Sequence, residues 1–445
     1  MRQLTFFLLL STTVTLWAQP KQNSPYSRFG IGDPVNQAFA DQIGAGGQTA
    51  AYHDPLQLNL SNPASYAFLR TTALQTGLQV KYSHFTTNPD TSTLNRWTGN
   101  LGYIALGFTL RSPINEVLDK AKSPWKFGMG FSLTPYSLIG YNVQTHSSTS
   151  DLPGVTNTYQ GNGGTYRTTW SSAARYKNTA VGLNLGWMFG KATYENTTDF
   201  DGDTLVAFIN NRRNSLTING FVWTLGIQHD IVLKYFQNDA ETPQKWITIG
   251  GTIESNHSLH VTSDNLFIRT RNTSPDGTYT SPDTLINDKG VRQTLTLPAS
   301  FTFGIQYVDA AKMRVGVQFG RQQWANYVNQ ARPETLRNTM SVSGGLEYTP
   351  DMGSYNNYAK RIRYRIGGYY RQDPRTVNGS NVDDTGLSLG FGFPIVMPRQ
   401  QTAFMNVAFE LGKIGAGTPI AETYGKVTVG FTLNDNTWFY KRRFE

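Results

Sequence analysis

The chain has 445 residues, with 39 Lys and Arg against 30 Asp and Glu, for a formal net charge of +9. It has no cysteine, which excludes disulfides, thiol catalysis and zinc–thiolate centres. Only 16% of residues are charged, 13% are aromatic and 43 are glycine, a balance suited to strands with one face in lipid. The basic residues are scattered apart from 360–365 and 441–443, with no basic helix and no aromatic–basic interleaving, so nucleic acid is not an expected partner.

Met1-Arg2 opens an apolar stretch from Leu4 to Trp17, closed by the small residue Ala18. A basic start, a short apolar run and a small residue are the parts of a secretory signal peptide, expected over residues 1–18. The run is shorter than the ~20 residues a spanning helix needs. No long apolar run follows, which excludes a helical membrane protein.

Residues 19–70 show no alternation. They contain Gly44-Ala-Gly-Gly47, Asp54 and Asn62-Pro63-Ala64, and Phe29, Ile31, Phe39, Ile43, Leu56, Leu58, Leu60, Tyr66 and Phe68 all need burial. A packed N-terminal hatch inside a barrel lumen is the expectation for this segment.

From residue 71 onward the dominant signal is a two-residue period. Ile104, Leu106, Phe108 and Leu110 alternate with Tyr103, Ala105, Gly107 and Thr109; Val427, Val429, Phe431 and Leu433 alternate with Lys426, Thr428, Gly430 and Thr432. The series comprises fourteen stretches, at 71–87, 96–110, 124–147, 164–176, 178–200, 212–230, 244–269, 290–308, 312–327, 335–349, 360–373, 384–395, 402–415 and 423–434. A length prior of ~150 residues per domain would give about three domains, but the series runs without a break. The expectation is all-β: a transmembrane antiparallel up-and-down barrel of about fourteen strands over residues 71–435, with a periplasmic tail at 436–445.

Trp97, Trp125, Trp246, Trp324 and Trp438 mark strand ends, where an interfacial girdle is expected. Connections at 148–163, 201–211 and 270–289 read as long outer loops, whereas those at Lys177, 309–311 and 396–401 read as short inner turns. Three inner connections, at 111–123, 231–243 and 350–359, are longer, and the first suits a short helix.

The Gly/Ala-rich stretch 44–51, Asp54 and Asn62-Pro63-Ala64 before the first strand resemble the N-terminal hatch of the FadL/TodX family of outer-membrane channels. Residues 24–33, 430–435 and 438–443 resemble FadL-like barrels found widely in Bacteroidota. The resemblance implies an integral outer-membrane channel passing small hydrophobic molecules, of the fatty-acid or aromatic-hydrocarbon class. It also implies a lateral gate where the third strand kinks, and Pro135 is the candidate for that kink. A merely bent strand is the alternative for Pro135.

Arg361, Arg363, Arg365 and Arg371 share one face of a strand and are expected in the lumen. They suit a ligand carboxylate or, more simply, inward acids such as Glu347 and Glu410 that would fix the hatch. None of the six histidines joins a catalytic or metal-binding pattern, so no enzyme, cofactor or metal is expected. The second functional expectation is a non-transporting accessory barrel in a Bacteroidota outer-membrane secretion or assembly complex. Expected partners are outer-membrane lipid, a hydrophobic ligand, and other outer-membrane or surface proteins.

Overall fold

A computed structural model describes residues 24–88, 92–111, 123–149, 152–200, 208–237, 239–271, 283–310, 312–397 and 401–436. The expected signal peptide, the short helix within 111–123 and nearly all of the expected tail lie outside the described residues.

The first strands are β1 Thr72–Thr87, β2 Thr93–Thr109, β3 Trp125–Thr149 and β4 Leu152–Tyr176. They are followed by β5 Thr179–Phe200, β6 Phe208–Phe236, β7 Asp239–Glu254 and β8 His257–Arg271. Next come β9 Asp283–Leu297, β10 Ser300–Asp309, β11 Met313–Gln322 and β12 Thr339–Tyr348. The series ends with β13 Arg363–Val377, β14 Ser380–Val396, β15 Thr402–Ile414 and β16 Ile420–Asp435.

Fourteen of these close an antiparallel barrel. Each of β1 to β6 pairs with the next, β7 pairs with β10, the pairing continues to β16, and β16 closes on β1 from Asp435↔Thr72 to Ile420↔Thr87. Closure leaves no end strand, which is what a sheet in lipid requires.

β8 and β9 form an inserted hairpin. The expected strands at 244–269 and 290–308 each break, at Ser255-Asn256 and at Pro298-Ala299. Pro298 has no N–H to give the ladder, and Asn256 Oδ1 accepts from Ala299 N at 2.7 Å. Beyond the break, β8 pairs with the upper half of β6, from Asn219↔His260 to Phe208↔Arg271. Two expected connections are strands: much of 148–163 belongs to the β3–β4 hairpin and most of 231–243 to the β6–β7 hairpin. β3 and β4 are 25 residues long, roughly 80 Å of strand at about 3.3 Å per residue, so the hairpin rises well past a lipid belt about 25 Å tall.

The outward face is apolar. Leu74, Leu78 and Val80 on β1, Val181 and Trp187 on β5, Leu387 on β14 and Leu411 on β15 are all exposed, the last two by 70% and 68%. Tyr82 and Trp97 meet at 4.9 Å near one margin of this belt, and Trp125 and Tyr176 at 4.9 Å near the other. Two expected girdle residues are elsewhere. Trp324 is buried in an inward apolar cluster with Ile139, Leu216, Leu259 and Leu295. Trp246 turns its ring toward His53 of the N-terminal segment, at 6.2 Å. Trp438 is outside the described residues.

Candidate functional site

Outside the apolar cluster around Trp324 the inner face of the barrel is largely polar and buried, with Gln75, Ser171, Asn184, Thr248, Asn406 and Thr428 almost fully covered. What covers it is residues 24–70. Phe39, Leu58, Leu60, Tyr66 and Phe68 of this segment form an apolar cluster with Tyr103 of the wall, and Phe39 stacks on Tyr103 at 4.0 Å. Ile31 and Ile43 are also buried, while Phe29 and Leu56 are half-buried.

The wall meets the segment through glycines. A Cβ built on Gly128 would overlap the Tyr66 carbonyl, on Gly182 the Pro63 carbonyl, on Gly226 the Asn62 side chain, on Gly250 the Ala50 carbonyl, and on Gly367 the Gly46 amide. These positions lie on β3, β5, β6, β7 and β13, so the segment closes on the wall around much of the circumference, backbone to backbone at all of them but Gly226.

Asn62, Pro63 and Ala64 form one local device. Asn62 caps the 3-10 turn Pro63–Phe68, its Oδ1 accepting from Ala64 N at 3.1 Å, and proline takes the first turn, where no amide partner is needed. The same side chain donates through Nδ2 to Ala50 O at 2.6 Å and to the wall carbonyl of Ile227 at 3.3 Å.

Asp54 is the electrostatic anchor. Its Oδ2 receives Arg363 Nη1 of β13 at 2.8 Å and Arg314 Nη2 of β11 at 3.0 Å. Arg314 also donates to the His53 carbonyl at 2.9 Å. Glu347 on β12 receives Arg365 Nε at 2.6 Å and stands 3.6 Å from Arg314 Nε. Burial alone would raise the Asp54 carboxyl, but the Arg363 and Arg314 guanidiniums overcome it and hold the group well below the usual carboxylate range. Asp41, also fully buried, goes the other way. Burial outweighs the Arg365 guanidinium and the Tyr52 hydroxyl and pushes it up to about 6.

The remaining charges of the row take separate places. Arg371 lies over the Tyr369 ring at 3.8 Å and pairs with Asp384 at 3.5 Å. Glu410 pairs with Lys426 at 2.6 Å rather than with an arginine. Arg361 precedes β13, in the 3-10 turn Tyr358–Arg361, with its guanidinium 5.0 Å from the Tyr358 ring. Arg314 and Gln318 did not stand out in the sequence. Gln318 Oε1 accepts from Thr49 N at 2.7 Å and Ala50 N at 2.8 Å. The available signal was their position on the small-residue face of Met313-Arg-Val-Gly-Val-Gln-Phe-Gly320.

Pro135 marks where β3 leaves the wall. β2 and β3 pair only from Thr109↔Gly128 to Ile104↔Leu133. The β3–β4 register shifts between Pro135 and Ser137, and residues 137–141 are buried on both faces. The N-terminal segment occupies the edge that β3 turns inward: Val35 N donates to Tyr136 O, Gln37 Nε2 to Pro135 O and Ser24 N to Gly140 O, each at 2.9 Å. Asp33 and Pro34 pair with Leu138 and Ser137.

A cavity of about 430 Å³ remains in the lumen. Lys81, Asn100, Arg167, Glu254, Gln318, Arg371 and Asp384 are among its lining, together with apolar residues such as Leu138, Trp324 and Ile414, so it is about half polar. Among the described residues no group of three or more His, Asp or Glu side chains is placed to hold a metal ion.

Solved structures of the same architecture exist. A Pseudomonas aeruginosa FadL homologue matches with a TM-score of 0.54 and 12% identity over 90% of this chain and 98% of its own. The P. putida toluene transporter TodX and the Ralstonia pickettii toluene transporter TbuX each match with a TM-score of 0.52 and 13% identity, over 90% of this chain and 99% of theirs. At such identities the likeness is one of fold. No protein of curated function matches the sequence. A family model described as BamG matches residues 1–445.

Proposed function

The chain belongs to the BamG family, and we propose that it is a non-catalytic accessory barrel of an outer-membrane assembly or secretion complex, its lumen held shut by the N-terminal segment. The observation that carries this reading is the Asp54 anchor. One carboxylate of the segment is buried between Arg314 and Arg363 on two strands of the wall. Separating a buried pair leaves an uncompensated charge at a cost of about 3–5 kcal/mol, and the glycine contacts around the wall add to the grip. A segment fastened in this way is suited to stay in place, not to open for cargo. The charged side chains that line the cavity, Lys81, Arg167, Glu254, Arg371 and Asp384 among them, support the same reading, as does the family's Bam name.

The test is purification of the full chain from its own membrane in a mild detergent, followed by mass spectrometry of the intact assembly. A stoichiometric protein partner is the expected result. A lone barrel carrying a lipid-like ligand would overturn it.

The departure of β3 at Pro135 favours a second reading, a channel for small hydrophobic molecules with a lateral gate. An apolar outward groove lined by Ile104, Leu106, Phe131, Trp170 and Trp187 lies beside it. That reading requires uptake of a hydrophobic tracer by vesicles containing the chain, and loss of that uptake in Pro135→Ala with assembly intact. Equal uptake in the variant sinks it.

A further inference from the structure

The inward turn of β3 leaves an edge behind. From Thr93 to Tyr103, β2 is paired with β1 on one side and has no backbone partner on the other among the described residues. The N-terminal segment completes β3, through Val35 and Ser24, and does not complete β2.

Part of this edge lies within the apolar belt. Trp97 is 61% exposed and meets Tyr82 at the margin. Leu101 faces outward opposite Leu78, and Gly99 opposite Val80. In an antiparallel strand alternate residues direct their N–H and C=O to each side, so residues 97–103 present about three donors and about three acceptors to the gap. An open sheet edge in hydrocarbon is not tolerated, and it is the natural acceptor of an added strand.

We infer that β2, over residues 97–103, receives an extended strand from a partner protein of the outer membrane. The chemistry of that strand follows from the two faces of β2. Trp97, Gly99 and Leu101 face lipid, whereas Thr98 is buried and Asn100 lines the polar cavity. The partner segment therefore alternates, with apolar side chains outward and small or polar side chains inward, in the manner of a barrel strand. A hydrocarbon ligand does not satisfy the edge, because it has neither donors nor acceptors for the exposed backbone. This inference rests on the accessory-subunit reading and names where that subunit joins its partner.

Photocrosslinking in the native outer membrane tests it. Benzoylphenylalanine replaces Gly99 or Leu101 in the full chain, with Leu411 on the fully paired β15 as the control position. Unchanged heat-modifiable mobility certifies that each barrel has folded. The expected result is an adduct at 99 and at 101 with a single alternating segment of one protein. The crosslinked residue moves by two along that segment when the probe moves by two, and Leu411 gives no such adduct. Adducts that lack this register, that join only residues 19–23 of the same chain, or that involve no protein overturn the inference. If a stoichiometric partner still co-purifies in those cases, the accessory-subunit reading stands while the β2 junction falls.

Discussion

Asp54 and Arg363 meet at 2.8 Å with the Asp54 side chain fully buried, a contact between residues 309 positions apart in the chain. The same carboxylate oxygen receives Arg314 at 3.0 Å. Asp54→Asn removes the charge and leaves the Arg314 and Arg363 guanidiniums to share Glu347 with Arg365. The expected loss is about 3–5 kcal/mol, read as a lower denaturant midpoint in detergent together with faster proteolysis of residues 24–70. A change below about 1 kcal/mol would mean that Asp54 does not anchor the segment.

The glycine contacts make a separate prediction. Gly250→Val drives a Cβ with two methyl groups into the Ala50 carbonyl. Overpacking of this kind costs about 1–3 kcal/mol, and here it is relieved by displacing the segment. Gly425→Ala is the control, since a Cβ there meets only Leu411 Cδ2 at an ordinary 3.5 Å. Limited proteolysis of the two variants compares them directly. Equal protection of residues 24–70 counts against close backbone approach.

The buried Asp41 gives the segment a pH dependence. Its carboxyl is raised from 3.8 to about 6 on folding, chiefly by burial. A raised carboxyl favours folding most when protonated, so its contribution is fully present below 3.8 and is lost as pH rises through about 6. The span corresponds to about 3 kcal/mol. Asp41→Asn removes this dependence, so the variant gains on the parent between pH 4 and pH 7.5. Unfolding measured at both pH values gives the difference, and parallel behaviour of the two proteins would exclude Asp41 as its source.

Much of the barrel is legible in the sequence because lipid imposes its own pattern. Val427, Val429, Phe431 and Leu433 alternate with small or polar residues since β16 has one face in hydrocarbon and one in the lumen. Where a strand rises out of lipid, that constraint ends. Residues 154–163 carry no continuous apolar face, so the first half of β4 reads as a loop although it pairs with β3 and β5. The same loss of constraint hides the inserted β8–β9 hairpin, whose pairing with β6 depends on a pivot at Asn256 and Pro298. Trp246 and Trp324 show the converse difficulty, since a tryptophan near a strand end has the same sequence signature whether it faces lipid or the lumen.

The site was legible in parts. Asn62-Pro63-Ala64 carries its own local logic as a capped turn, and Asp54 stands out beside it. Its partner Arg314 lies 260 positions away, marked only by its place on the small-residue face of β11. Arg361 has the spacing of Arg363 and Arg365 but precedes the strand, because spacing alone does not say where a ladder begins. Gly128, Gly182 and Gly250 look like ordinary small-face residues until the segment they touch is in place.

The central claim is that the N-terminal segment stays in the lumen while the protein works. The absence of cysteine from the chain allows a clean test. A Cβ on Gly304 stands 3.1 Å from Ala50 Cβ, near the 3.5–4.5 Å span of a disulfide, so Ala50→Cys with Gly304→Cys locks the segment to β10. In cells lacking the native chain, the oxidised double variant is predicted to restore growth and the associated complex as fully as the unlocked protein. Loss of that activity on oxidation, recovered on reduction, would contradict the account and show that the segment must move.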